Sequence, residues 1–92
     1  MIHVRTSIVF EREIKKFHPN EVALVQDAIS KISADPDIAS LKSYDLSDVF
    51  VHKFRGVGRQ LLIAFSFTAK HEIELLKIAT HENFYRDLKR EN

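Results

Sequence analysis

Three short segments in the second half of the chain constrain its fold more than any other feature. In Val49–Arg55 and Arg59–Phe67, apolar side chains recur at every second position, which is the period of a β-strand with one buried face. Glu72–Ala79 is apolar on both faces, which is typical of a central or covered strand. Turns at Gly56–Gly58 and Thr68–His71 separate the three segments. The sequence therefore predicts a three-stranded antiparallel meander.

The first half of the chain predicts one strand and a helical hairpin. His3–Phe10 is rich in β-branched residues and contains no helix or strand breaker, so we expect a strand. Glu11–Phe17 begins a helix that a proline interrupts, and Glu21–Ala34 carries apolar residues at the spacing of an amphipathic helix. Ile38–Asp48 is polar and turn-rich. With a short C-terminal helix at Glu82–Arg90, this order predicts an α+β fold in which the strand and hairpin pack on a small antiparallel sheet.

The composition is typical of one globular domain. The 92 residues suffice for a single core, and 45% hydrophobic with 29% charged residues excludes a disordered or fibrous chain. We predict a single domain over residues 1–92. Cysteine is absent, which excludes disulfides and thiolate metal sites. The longest apolar run, Leu61–Phe65, is too short to span a bilayer, and Met1–Phe10 lacks the pattern of a signal peptide. We therefore expect no membrane-spanning segment, and the absence of cysteine is compatible with the cytosol.

Positive charge is concentrated between Val49 and His71, an interval that contains no Asp or Glu. Strand alternation puts Lys53 and Arg55 on the face opposite the two phenylalanines of their segment, and Arg59 lies just across the hairpin. The sequence thus predicts that these three cations converge on an exposed sheet face. They could form a solubilising rim, or a cradle that binds phosphate and stabilises negative charge in a transition state.

His81 is the best candidate for proton transfer, because an imidazole titrates near neutral pH and this one lies in the turn that follows a predicted strand. A capping or solvent-facing histidine is the alternative. Tyr85 could stack on a base or assist proton transfer, or it could pack in the core. The basic residues of the C-terminal segment could contact RNA phosphates or favour the negative end of a helix; they are Arg86, Lys89 and Arg90.

The remaining histidines indicate no metal site. His52 shares its face with two phenylalanines, which favours a core or hydrogen-bonded histidine over a catalytic one. His3, His18 and His71 lack the spacing of metal ligands. The RGVGR segment is a hairpin pattern without the lysine of a nucleotide-binding loop, so neither a metal nor a cofactor is expected.

The segments HKFRGVGRQLLIAFSF and IELLKIATHENFYRDLKR resemble the RelE/ParE toxin superfamily of bacterial type II toxin–antitoxin modules. The resemblance implies a cytoplasmic toxin that cleaves mRNA, often on the ribosome, until a cognate antitoxin neutralises it. Such toxins need no metal and position the ribose 2′-hydroxyl to attack the neighbouring phosphate. A ParE-like toxin that poisons DNA gyrase without enzymatic activity is the alternative. An inactive member that only binds an antitoxin is a third possibility.

Site residues follow from the resemblance by position. It implies a general acid or base at His81, charge-stabilising groups at Arg55 and Arg59, and a tyrosine that orients or stacks a base at Tyr85. The expected RNA-binding residues are Lys53, Arg86, Lys89 and Arg90. The chain departs from the family pattern in its penultimate strand, where Gln60 or Leu61 replaces a frequent arginine. It also lacks an aspartate beside the histidines that precede its last strand.

Overall fold

A computed structural model of the protein describes residues 2–35, 49–80 and 82–83, together with the backbone of residues 40–42. The elements in chain order are β1 (His3–Thr6), α1 (Ile8–Ile14), α2 (Pro19–Ala34), β2 (Ser40–Lys42), β3 (Val49–Arg55), β4 (Gln60–Ala69) and β5 (Glu72–Thr80). The five strands form one sheet in the order β1-β5-β4-β3-β2. Side chains of both helices share one hydrophobic cluster with the sheet. The predicted α+β fold is confirmed.

The predicted meander is present as β3, β4 and β5, which pair antiparallel. Two pairings were not predicted. β1 pairs parallel with β5, so the sheet is mixed and not purely antiparallel. β2 pairs antiparallel with β3 and lies in a segment whose composition indicated turns. The parallel pairing puts β5 between β1 and β4, and its buried residues Ile73, Leu75 and Ile78 belong to the cluster that the sheet shares with the helices.

The prediction of a strand over His3–Phe10 is wrong for its second half. The strand ends at Thr6, and α1 begins after Ser7, whose hydroxyl accepts a hydrogen bond from the Phe10 backbone N–H at 3.0 Å. The same hydroxyl donates to the Leu76 carbonyl of β5 at 2.9 Å. Ser7 thus caps the helix and ties it to the sheet, which outweighs the β propensity of the next two residues.

The second helix ends at Ala34 as predicted but begins at Pro19, two residues before its predicted start. Its buried stripe packs on the face of β3 and β4 that carries Phe65, which is fully buried and stacks on Phe50 at 5.7 Å. The buried residues of α2 are Glu21, Val25, Ala28 and Ile32. One of these four is an acid, and the site described below is built around it. Neither helix in the described part of the chain is long and apolar enough to cross a membrane.

The first helix also protects the edge of β5 beyond the end of β1. A Glu13 carboxylate oxygen accepts a hydrogen bond from the Ile78 backbone N–H at 3.0 Å, and its other oxygen pairs with Lys77 Nζ at 2.8 Å. An unpaired strand edge would otherwise offer this N–H group to another chain. The pairing also fixes the end of α1 beside the end of β5, where the predicted site lies.

Candidate functional site

The β3–β4 hairpin lies at the same end of the sheet as the end of β5. The Gly56 N–H donates to the Arg59 carbonyl at 2.8 Å, and Gly58 adopts a φ of 71°, a conformation that glycine reaches without steric cost. Because β4 runs antiparallel to both of its neighbours, this turn and Thr80 lie at one end. The hairpin therefore borders the position from which the chain leaves the sheet towards His81.

A buried carboxylate from α2 holds this hairpin. Glu21 is only 4% exposed, and its Oε2 accepts hydrogen bonds from the Val57 N–H at 3.0 Å and from Arg59 Nε at 3.1 Å. Its Oε1 accepts from Arg59 Nη2 at 2.6 Å. The guanidinium carbon lies 5.4 Å from the centre of the Phe17 ring, which is within the range of a cation–π contact. Glu21 therefore binds both the backbone and the side chain of the hairpin.

The close approach of this carboxylate requires a glycine at position 56. A β-carbon on Gly56 would lie 2.6 Å from Glu21 Oε2 and 2.7 Å from Leu61 Cδ1, both closer than atoms tolerate. Any larger residue would push the carboxylate or the hairpin out of place. Gly56 is thus needed because a side chain would not fit there, whereas Gly58 is needed because the turn requires a positive φ.

The hydrogen bonds from Arg59 lower the pKa of the Glu21 carboxyl below its ordinary value of about 4.5, although burial acts in the opposite direction. A carboxyl whose pKa is lower in the folded than in the unfolded state stabilises the fold at pH values above its unfolded pKa. This contribution to the free energy of unfolding is lost as the pH falls through the pKa of the folded state.

We therefore expect Glu21→Gln to have a lower free energy of unfolding than the wild type at pH 7, and this difference to shrink as the pH falls below about 4.5. Urea unfolding at a series of pH values measures it. Arg59→Gln removes the hydrogen bonds that lower the pKa of Glu21. Its free energy of unfolding should therefore also fall less than that of the wild type as the pH decreases. A difference between wild type and Glu21→Gln that stays constant from pH 7 to pH 3 would contradict this account.

The prediction that Arg59 joins Lys53 and Arg55 on one exposed face is wrong. Arg59 turns towards the helix side, where Glu21 and Phe17 contact it, whereas Lys53 and Arg55 are exposed on the opposite face of β3. The reason is an ion pair across 38 positions of sequence, which strand alternation alone cannot indicate. The expectation of two exposed cations on β3 is confirmed.

The sheet face that carries Lys53 and Arg55 is buried at its centre, whereas the prediction was an exposed face. Val51, Leu62 and Ala64 form a second cluster there, each less than 5% exposed. Lys53 lies directly opposite Leu62, so the cations border this cluster. The predicted phosphate-binding surface is therefore limited to the end of β3.

His52 lies on the helix side and is half-buried. Its ring stacks on Phe54, with 6.1 Å between the ring centres. Burial, and to a lesser degree the nearby Lys31, lowers the pKa of His52 below 6.5. A neutral imidazole packed between a strand and α2 fits the structural role that the sequence favours.

A cavity of about 340 Å³ opens between the end of α1 and the end of β5. Its lining residues are Glu13, Lys16, Phe17, Arg59, Ile78, Ala79, Thr80 and Asn83. A neighbouring cavity of about 380 Å³ shares Arg59, Thr80 and Asn83 with it. Arg59 thus borders both spaces beside the strand end that precedes His81.

The other predicted site residues lie outside the described residues. These are His81, Tyr85, Arg86, Lys89 and Arg90. Of the predicted C-terminal helix at 82–90, only Glu82 and Asn83 are described. Within the described part of the chain, no group of three or more His, Asp or Glu side chains could hold a metal ion.

Glu21 was not among the predicted site residues. Its signal was present, because Glu21 falls on the same helical stripe as Val25, Ala28 and Ile32. An acid in an apolar stripe is rarely buried without a cationic or hydrogen-bonding partner. The partner, Arg59, could not be identified from spacing.

Two solved structures share this arrangement of elements. The chain is similar to the RelBE2 toxin–antitoxin complex from Mycobacterium tuberculosis, with 19% identity and a TM-score of 0.71 over 87% of this chain and 98% of that one. It is also similar to the isolated RelE toxin of E. coli, with 10% identity and a TM-score of 0.68 over the whole of both chains. At these identities the likeness concerns the fold.

Sequence comparison identifies the family. No curated protein sequence matches the chain significantly. A family model described as the ParE-like toxin of type II bacterial toxin–antitoxin systems matches residues 4–89, which is nearly the whole chain. The resemblance to the RelE/ParE superfamily is thereby confirmed. The protein belongs to the ParE-like toxins of type II bacterial toxin–antitoxin systems.

Proposed function

We propose that this toxin is an endoribonuclease that cleaves mRNA, in the cytoplasm and on the ribosome, and that a cognate antitoxin neutralises it. One observation carries the proposal. Lys53 and Arg55 are exposed near the end of β3, and β5 runs parallel to β3 two strands away and ends at the same end of the sheet. Neighbouring strands are about 4.8 Å apart, so the cations lie roughly 10 Å across the sheet from the residues that precede His81. That separation fits an RNA backbone that contacts both.

The proposed chemistry uses the RNA's own nucleophile. A general base removes the proton of a ribose 2′-hydroxyl, and the oxygen attacks the adjacent phosphorus. The bond to the 5′-oxygen of the next nucleotide breaks, and a general acid protonates that leaving oxygen. The products are a 2′,3′-cyclic phosphate and a 5′-hydroxyl. His81 would serve as acid or base, because its ordinary pKa lies near neutral pH.

The other residues would bind or orient the RNA. Arg55 would stabilise the negative charge that grows on the phosphate oxygens. Tyr85 would orient or stack a base. The remaining RNA-binding residues would be Lys53, Arg86, Lys89 and Arg90. Arg59 differs from these cations, because Glu21 neutralises its charge.

The two exposed cations of β3 allow a direct test of RNA binding. We expect the double variant Lys53→Gln, Arg55→Gln to bind single-stranded RNA more weakly and with a smaller salt dependence. Each lost phosphate contact should lower the slope of log K against log salt concentration by about 0.7. Lys70→Gln, an exposed cation in the turn at the opposite end of the sheet, is the matched control. Equal slopes for the double variant and the wild type would remove these residues from the RNA-binding surface.

A gyrase inhibitor without enzymatic activity is the second candidate function, and the family description favours it, because the matching model is that of ParE-like toxins. Such a toxin needs a protein-binding surface and no acid–base group. The two candidates therefore differ in what they do to the cell within minutes of expression.

Inducing the wild-type toxin without its antitoxin distinguishes the two functions. The nuclease predicts new mRNA 5′ ends and rapid arrest of translation, with unchanged plasmid supercoiling. The gyrase inhibitor predicts altered supercoiling and DNA-damage induction, with intact transcripts. Intact transcripts in cells whose growth has stopped would contradict the proposed nuclease.

A further inference from the structure

We propose that Glu21 is a positioning residue, which orients the Arg59 guanidinium for the reacting phosphate; this inference rests on the proposed nuclease function. Glu21 lies on α2, away from the exposed cations of β3, and it is buried. It reaches the site only through the hairpin.

The hydrogen bonds fix the guanidinium in one orientation. Two carboxylate oxygens accept from Nε and Nη2, which is the bidentate geometry that makes arginine pairs directional. The Phe17 ring contacts the guanidinium from the helix side. The Val57 N–H on the same carboxylate holds the turn itself. The arginine is thus held by both its backbone and its side chain.

The pair leaves part of Arg59 available to a ligand. A guanidinium has five N–H donors, and Glu21 uses two of them. The other three have no partner among the described residues, and the side chain is 47% exposed. Arg59 borders the two cavities that Thr80, the residue before His81, also lines.

Charge balance defines what such an arginine can contribute. Because the carboxylate neutralises it, Arg59 adds little to long-range attraction of RNA but offers hydrogen bonds in a fixed direction. The pair also stabilises the fold, but an apolar pair of similar size often stabilises a fold as well or better. A fixed donor is useful where charge develops on a phosphate oxygen during the reaction.

An orienting role of Glu21 and a purely electrostatic role predict different results for Glu21→Gln. Removing an acid beside an RNA-binding surface should strengthen RNA binding and leave kcat unchanged if only charge matters. If Glu21 orients Arg59, kcat should fall by about 100-fold, which is the cost of misplacing a reacting group by an ångström, while KM stays equal or decreases. Arg59→Lys should show a similar fall in kcat, because an ammonium group cannot form the bidentate pair with Glu21.

The experiment compares kcat and KM for a single-stranded RNA oligonucleotide at a temperature where circular dichroism shows every variant folded. Glu72→Gln is the control, because it also removes a glutamate that pairs with an arginine, Arg5, at the far end of the sheet. Its kcat should equal that of the wild type. The NMR signal of Arg59 Nε–H should be protected from exchange in the wild type and lose this protection in Glu21→Gln.

The outcomes separate the two proposals. A wild-type kcat in folded Glu21→Gln, or an Arg59 Nε–H signal that is unprotected in the wild type, overturns the role of Glu21 and leaves the nuclease intact. A wild-type protein that cleaves no RNA overturns the nuclease, and the catalytic role of the pair with it. A loss of kcat in Glu21→Gln with unchanged KM and a normal Glu72→Gln supports both.

Discussion

Replacing His81 by alanine is expected to lower RNA cleavage by about 100- to 10,000-fold, which is the usual contribution of a positioned acid or base. The proposed reaction moves one proton from the 2′-hydroxyl and one to the leaving oxygen. An alanine can do neither, so the loss should appear in kcat. Mapping transcript 5′ ends after induction, together with cleavage of an RNA oligonucleotide by the purified protein, measures it.

His71→Ala provides the matched control. His71 is exposed in the turn between β4 and β5, at the end of the sheet away from His81's neighbour Thr80, and its loss should leave cleavage unchanged. Circular dichroism verifies that both variants fold. A folded His81→Ala protein that is as toxic as the wild type would exclude His81 from the mechanism.

The largest expected effect on stability is that of Phe65→Ala. Phe65 is fully buried in β4 and stacks on Phe50, so its removal leaves a cavity in the middle of the sheet. Truncations of this kind cost about 3–5 kcal/mol. Domains of this size are stable by only about 5–15 kcal/mol, so the variant should unfold at a much lower urea concentration.

Phe67→Ala tests whether burial is the cause. Phe67 lies two residues along the same strand and contacts Phe50 edge-on, but it is 42% exposed. Its loss should cost about 1 kcal/mol, the value typical of an aromatic pair with little burial. Equal destabilisation by the two substitutions would contradict the location of the core.

The elements that sequence periodicity predicted correctly are those whose pattern is long. Pro19–Ala34 repeats its apolar stripe over several turns, and β3 and β4 alternate across one hairpin, so local spacing indicates the buried face. The error at Ile8–Phe10 has a local cause, because β-branched residues that follow a capping serine can begin a helix. β1 pairs with β5 far along the chain, which no local pattern reveals, and β2 lies in a segment whose polar composition indicated turns.

The candidate site was predictable only in part, for the same reason. Alternation correctly indicated that Lys53 and Arg55 are exposed, since this follows from their own strand. The position of Arg59 depends on Glu21, which is 38 residues earlier in the chain, and on a glycine that allows the carboxylate to approach. Long-range ion pairs of this kind are formed by the fold, and a single sequence does not record which acid meets which base.

The parallel pairing of β1 with β5 has a consequence for synthesis of the toxin. While the ribosome is still translating the chain, β1, α1 and α2 have emerged, but the strands on which they pack have not. The two helices then have no surface on which to bury their apolar stripes, and contacts between residues near 4 and near 74 form last. The sheet of this toxin is therefore complete only once β5 has left the ribosome, although β1 is the first of its strands to be made.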